Sequence, residues 1–125
     1  MSFFIKNTTK GKLPRLPFAK IAEAVLGKEY EGSLVVVSSR KSRELNRTYR
    51  GKDSPTNILS FPLDETEGEI FLDLKKARED APLFDRSYTN FVGFLFIHAL
   101  LHLKGYDHGP KMETQERKIC KIFKI

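Results

Sequence analysis

The segment from Tyr88 to Leu103 or Lys104 constrains this chain more than any other. Phe91, Val92, Phe94, Leu95, Phe96, Ile97, Leu100, Leu101 and Leu103 leave a helix here almost no polar face, so it must be surrounded by other elements. Asp85 or Ser87 can cap its start. The run falls short of the roughly 18 uninterrupted apolar residues that a membrane span needs, so the surroundings must be protein. With 125 residues the chain is long enough for one domain, spanning positions 1–125, to bury such a helix without disulfide staples.

Two polar rings interrupt that apolar helix. His98 and His102 stand one turn apart, so both project from the same side. An unpaired polar group in such a place costs about 1–3 kcal/mol, so both rings need partners. Gly105 can take a positive φ and end the helix sharply, which brings His108 back toward the first two rings. Three imidazoles at one point are the ligand set of a catalytic zinc site, whose fourth position is left to water. We therefore expect His98, His102 and His108 to hold one Zn²⁺ per chain, although imidazole also suits other divalent ions.

The rest of the sequence supplies the elements around this helix. Ser2 to Ile5 reads as a first strand that ends in the polar NTTKGK, after which Pro14 and Pro17 punctuate the chain. Phe18, Ile21, Ala22, Val25 and Leu26 form the stripe of an amphipathic helix closed by Gly27. Ser33 to Ser38 is a β-branched buried strand. A helix capped by Ser38 or Ser39 follows, with Leu45 and Tyr49 as its inward pair. Ile58–Leu63 and Glu69–Leu74 are two more strands joined by an acidic turn, and Pro62 marks the first as an edge or a strand end. A helix from Leu74 to Ala81 stops at Pro82. A last helix begins at Pro110 and turns Met112, Ile119, Ile122 and Phe123 inward. The order β, α, β, α, β, β, α, α, α implies an α/β or α+β fold, in which helices cover a small mixed sheet of about four strands.

Charge indicates what approaches the site. The net charge of +6 favours polyanionic partners. Arg40, Arg43, Arg47 and Arg50 fall three, four and three apart, which places them along one helix face. The loop GKDSPT leaves Arg50 and Lys52 on irregular backbone, where functional groups gather. The single cysteine, Cys120, reads as a small buried hydrophobe. The N-terminus lacks the features of a signal peptide, so a cytoplasmic protein without membrane attachment is the expectation.

The histidine spacing is also that of metzincin proteases, in which a glutamate after the first histidine activates the zinc-bound water. Here that residue is Ala99. The usual route to peptide hydrolysis is therefore closed, while a water of pKa about 7 on the metal could still act on a phosphodiester held by the basic stripe.

HALLHLKGYDH resembles the signature of the YbeY family, bacterial endoribonucleases of ribosomal RNA maturation. The similarity extends to LNRTYRGKDSPTNILSFP, to the GEI strand and to Met112 and Glu116, covering most of the chain. It implies a zinc-dependent, single-strand-directed endoribonuclease acting in 16S rRNA 3′-end maturation and ribosome quality control. RNA of the small subunit and ribosomal proteins would be its partners. His98, His102 and His108 would be ligands, and Arg50 would reach the substrate phosphate.

Two positions depart from the family pattern: Ala99 replaces a glycine and Asn57 an aspartate. The second removes a carboxylate, whose role would then fall to Asp107 or Asp53, and the general base is left unassigned. Asp107 either accepts from the His108 ring and fixes its tautomer or caps a turn. Tyr106 packs, and Thr56 and Ser60 either line the groove or, as is commoner for lone hydroxyls, bond backbone in a loop. Two rival functions remain: an assembly factor that binds RNA around a structural metal, against which three rather than four ligands count, and a small metallopeptidase, against which Ala99 counts.

Overall fold

The computed structural model describes residues 2–125. In chain order the elements are β1 (Ser2–Asn7), α1 (Phe18–Leu26), β2 (Glu31–Val36), α2 (Ser39–Arg50), β3 (Ile58–Asp64), β4 (Glu67–Leu72), α3 (Leu74–Asp80), a 3₁₀ turn (Ala81–Phe84), α4 (Tyr88–Leu103) and α5 (Pro110–Phe123). The four strands form one mixed sheet in the order β1-β2-β4-β3. β1, β2 and β4 run parallel, and β3 pairs antiparallel with β4 at the edge. This is the α+β architecture that the order of elements implies.

Alternation decides which side of the sheet is covered. Leu34 and Val36 of β2 and Ile70 and Leu72 of β4 are fully buried, while their strand neighbours Val35 and Phe71 are half-buried. The C-terminal end of α4 lies against the buried face. A Cβ on Gly68 would come within 2.8 Å of the Leu103 side chain and 2.4 Å of the Tyr30 hydroxyl, so only glycine allows this approach. Phe91, Phe96, Ile97 and Leu100 have no exposed surface, and each contributes about 1.5–3 kcal/mol by leaving water. α1 closes one side of α4 with the predicted row Phe18, Ile21, Ala22 and Val25, and the Phe18 ring meets Phe96 edge-on at 5.0 Å.

Several boundaries differ from the sequence reading, each for a local reason. β2 spans Glu31–Val36 rather than 33–38, because Ser38 turns to cap α2 and accepts from the Lys41 amide at 3.1 Å. β4 stops at Leu72 because Asp73 leaves the ladder to cap α3, accepting from the Lys76 amide at 3.0 Å. Ser87, not Asp85, caps α4, while Asp85 takes a left-handed φ of 55° after the 3₁₀ turn. Pro62 does lie on an edge strand, and the register slips beside it, leaving Leu63 unpaired.

Two inward pairs are corrected. α2 does not bury Leu45 and Tyr49; its buried residues are Ser42 and Asn46, and Tyr49 is 65% exposed. Hydrogen bonds hold this helix where apolar contact was expected. Ser42 Oγ donates to Asp73 Oδ2 at 3.0 Å and accepts from the Thr56 amide at 3.2 Å, while Asn46 Nδ2 donates to the Ser54 carbonyl at 2.9 Å. In α5 the buried row is Met112, Glu116 and Cys120, and Ile122 points to solvent. None of the helices is both long and apolar enough to cross a membrane among the described residues.

Candidate metal centre

α4 ends in a left-handed cap that delivers the third histidine. The Tyr106 amide donates to the Leu101 carbonyl and the Gly105 amide to the His102 carbonyl, both at 3.0 Å, with Gly105 at φ 107°. This is the Schellman arrangement, which requires glycine where φ turns positive. The chain then doubles back, and His108 meets the pair before Gly109, at φ 151°, opens α5. Ring centroids are 4.7 Å apart for His98 and His102, 5.0 Å for His98 and His108, and 4.6 Å for His102 and His108. One nitrogen from each ring lies within 4.8 Å of those of the others, a grouping that could hold a metal ion.

The outer nitrogens of two of the rings each meet an oxygen. His98 Nδ1 is hydrogen-bonded to a Glu116 carboxylate oxygen, and His102 Nδ1 donates to the Tyr106 carbonyl at 3.1 Å. A carboxylate and a backbone carbonyl are both acceptors, so these contacts suit rings that offer Nδ1–H outward and leave Nε2 inward. The two Nε2 atoms face each other at 3.1 Å. Two nitrogens bound at 2.0–2.1 Å around a tetrahedral ion would stand about 3.3 Å apart, so the donor set fits a single small cation. Burial, then the neighbouring His98 and His108, hold the His102 pKa below its ordinary value, and the Tyr106 carbonyl and Asp107 offset part of this. The neutral, ligating form is thereby favoured.

The rings line one side of an open cleft of about 740 Å³. Its other walls include Tyr49 and Arg50 of α2, Asn57, Ser60 and Phe61 of the β3 region, Phe84 of the 3₁₀ turn, and Met112 and Glu116 of α5. The structure divides the arginine stripe. Arg43 makes a bidentate pair with Asp53 at 2.8 and 3.1 Å, and Arg47 approaches the same carboxylate at 3.9 Å. Arg50 alone of the four lines the cleft, and it makes no ion pair among the described residues. Lys52 is exposed and lies outside the lining.

The remaining predicted residues fall in different places. Asp107 lies on the cleft and is exposed, yet among the described residues it accepts no hydrogen bond from His108. Asp53 is engaged by Arg43, which pulls its carboxyl below the usual range. Asn57 lines the cleft, but its amide donates to Asp80 Oδ2 at 3.0 Å, while Asp80 Oδ1 pairs with Lys76 at 3.0 Å. A carboxylate at position 57 would meet Asp80 with like charge, so the amide suits this chain. Thr56 Oγ1 bonds a backbone carbonyl, that of Ile58, at 3.4 Å, and Tyr106 is half-buried against the core.

The role sought for Asp107 is taken by Glu116 toward His98 and by the Tyr106 carbonyl toward His102. Glu116 carried a signal in the sequence. It stands four residues from both Met112 and Cys120, so it shares their buried row, and a carboxylate there requires a partner.

Residues 5–124 match the family described as Endoribonuclease YbeY. The chain belongs to the YbeY family. Among curated members, Endoribonuclease YbeY of Alkaliphilus metalliredigens is 43% identical over 101 residues, covering 72% of this chain and 65% of that protein. The YbeY of Bacillus velezensis is 38% identical over 116 residues, or 81% and 73% of the two chains. The alignment thus spans roughly two thirds to three quarters of the length of these two relatives. A solution structure of a Thermotoga maritima protein, 27% identical, superposes with a TM-score of 0.67 over 95% of this chain and 87% of that one. The YbeY resemblance read from HALLHLKGYDH therefore holds along nearly the whole chain.

Proposed function

We propose that this YbeY-family chain is a metal-dependent endoribonuclease that cleaves single-stranded RNA in the cleft between α2 and α4. The observation that carries the proposal is the pair of inward Nε2 atoms 3.1 Å apart, joined by His108, in a cleft whose lining arginine, Arg50, makes no ion pair among the described residues. The name carried by the relatives, endoribonuclease, agrees with that chemistry.

His98, His102 and His108 would hold one Zn²⁺. A bound divalent ion supplies Lewis acidity, acidifying a coordinated water and drawing charge from a phosphate oxygen. The protein's own residues do the rest. Glu116 and the Tyr106 carbonyl hold the imidazole protons outward, so that the Nε2 atoms stay available. Arg50 offers planar N–H donors to the non-bridging oxygens of a phosphodiester. Ala99, buried at the back of the site, supplies no carboxylate for peptide hydrolysis.

The finer reading follows the resemblance: action on the small-subunit rRNA, in 16S 3′-end maturation and ribosome quality control, with ribosomal proteins as contacts, in the cytoplasm. The test is cleavage of a labelled single-stranded RNA by chelator-treated protein titrated with Zn²⁺, beside Arg50→Glu. Cleavage that returns with metal and is lost in the variant supports the proposal. RNA that binds tightly and is never cut, at any metal concentration, would identify an assembly factor instead.

A further inference from the structure

Two aromatic rings stand exposed on the cleft, and each is braced from behind. Tyr49 at the end of α2 is 65% exposed, and its ring meets Phe61 edge-on at 5.0 Å. Phe61 in turn rests against Phe71 at 5.5 Å. Phe84 in the 3₁₀ turn is 54% exposed, and its ring stacks on the fully buried Phe91 at 4.9 Å with 25° between the planes. Phe94 continues that stack at 6.3 Å and reaches His98 at 6.2 Å. Arg86 covers one face of Phe94 at 4.3 Å from the ring centre.

Single exposed hydrophobic residues are ordinary, but these two differ from the others on this surface. Of the seven large exposed hydrophobic residues among those described, Tyr49 and Phe84 alone line the histidine cleft. A ring held by a second ring loses little freedom when something stacks on it, which lowers the cost of binding. Tyr49 and Arg50, both at the end of α2, line the same cleft, so it offers a flat apolar face and a hydrogen-bond donor for phosphate. The two rings reach the cleft from different elements, one on α2 and the other ahead of α4.

We propose that Tyr49 and Phe84 are two stacking platforms for unpaired nucleobases on either side of the phosphate held near the histidines. This rests on the endoribonuclease reading and adds the residues that would select single strands. A base must leave its helix to lie on a ring, and every base has a π-face, so such platforms favour single-stranded over paired substrates without demanding a sequence.

The test uses the full chain in chelator, so that RNA is bound but not cut, with a fluorescent single-stranded RNA oligomer and the matching duplex read by anisotropy. Tyr49→Leu and Phe84→Leu should each weaken single-strand binding by roughly 5- to 150-fold, the range of one base–aromatic stack. Both should leave the salt dependence unchanged, because no phosphate contact is lost. Tyr49→Phe and Phe84→Tyr, which keep the ring, should bind as wild type does. Replacing the bases at the two flanking positions by abasic units should weaken wild-type binding and affect the leucine variants less.

Wild-type affinity in both leucine variants, in protein that binds and cuts RNA normally, would overturn the platforms and leave the nuclease reading standing. Wild-type protein that neither binds nor cuts RNA would overturn the nuclease reading itself. Leucine variants that lose binding to an aromatic-rich peptide while keeping RNA affinity would assign the rings to a protein partner and overturn the proposal.

Discussion

α4 and α2 face each other across the same cleft and are held in place by opposite means. α4 is packed by apolar contact everywhere except the stripe of Phe94, His98 and His102 that lines the cleft, and its two polar rings meet Glu116 and the Tyr106 carbonyl through their outer nitrogens. α2 buries only Ser42 and Asn46 and is tied down by hydrogen bonds to Asp73, Thr56 and Ser54. The first arrangement makes a rigid donor set. The second presents charge, and a single loop carboxylate, Asp53, engages Arg43 and Arg47. Helical spacing put four arginines on one face; Arg43 and Arg47 are drawn to Asp53, and of the four only Arg50 lines the cleft with the histidines.

If α4 is the rigid side, the largest effects belong there. His102→Ala should abolish stoichiometric metal in protein purified without chelator, as elemental analysis would read; unchanged metal content would break the comparison outright. Glu116→Gln keeps the shape but not the charge beside His98, and should weaken metal affinity by about 10- to 100-fold. Competition titration against a chromogenic chelator measures this, and wild-type affinity would move Glu116 out of the site.

Stability should separate the two helices as well. Leu100→Ala in α4 should cost about 2–5 kcal/mol, and Ser42→Ala in α2, which deprives the buried Asp73 of a donor, about 1–3 kcal/mol. Urea unfolding would rank them, and the reverse order would mean that the polar lattice under α2 outweighs the apolar packing of α4. Arg50→Ala should lower the slope of log affinity for RNA against log salt by about 1, while Arg43→Ala, already paired with Asp53, should leave it unchanged. Equal slopes for both would restore an undivided stripe.

The smallest expected effect is on pH dependence. The folded His102 ring resists protonation, whereas in the unfolded chain it protonates near its ordinary pKa of about 6.5. As pH falls below that value the unfolded chain takes up the proton first, so stability in chelator declines toward acid and is complete above it. His102→Asn should lose this component of the slope in urea midpoints taken between pH 7.5 and 5.5; an identical slope would contradict the direction.

The same contrast explains what could be read from the sequence. α4, its glycine cap and the convergence of three histidines were legible because they rest on local patterns: an unbroken apolar run, a four-residue spacing and a positive-φ glycine. The order of the elements along the chain, and Pro62 as the mark of an edge or a strand end, followed from the same kind of signal; the order of the strands within the sheet did not. The underside of α2 was not legible, because Ser42 and Asn46 look like surface residues until Asp73 and the loop at 54–56 are brought beneath them. Arg43 likewise read as free charge because its partner lies ten residues away, beyond a helix end. Asn57 read as a missing carboxylate, and only the nearby Asp80 shows why an amide fits there. Glu116 was missed because the inward row of α5 read as Met112, Ile119, Ile122 and Phe123, although its spacing of four from Met112 and Cys120 held the signal, and its target, His98, lies on another helix.

The central claim is that the three histidines form one divalent-metal site that cuts RNA. The most direct measurement is cleavage of an end-labelled single-stranded RNA by chelator-stripped protein titrated with Zn²⁺, wild type beside His102→Ala. The account predicts that wild-type activity returns with one equivalent of metal and that the variant stays inactive through the same titration. Equal cleavage by both proteins, or activity indifferent to metal, would contradict it.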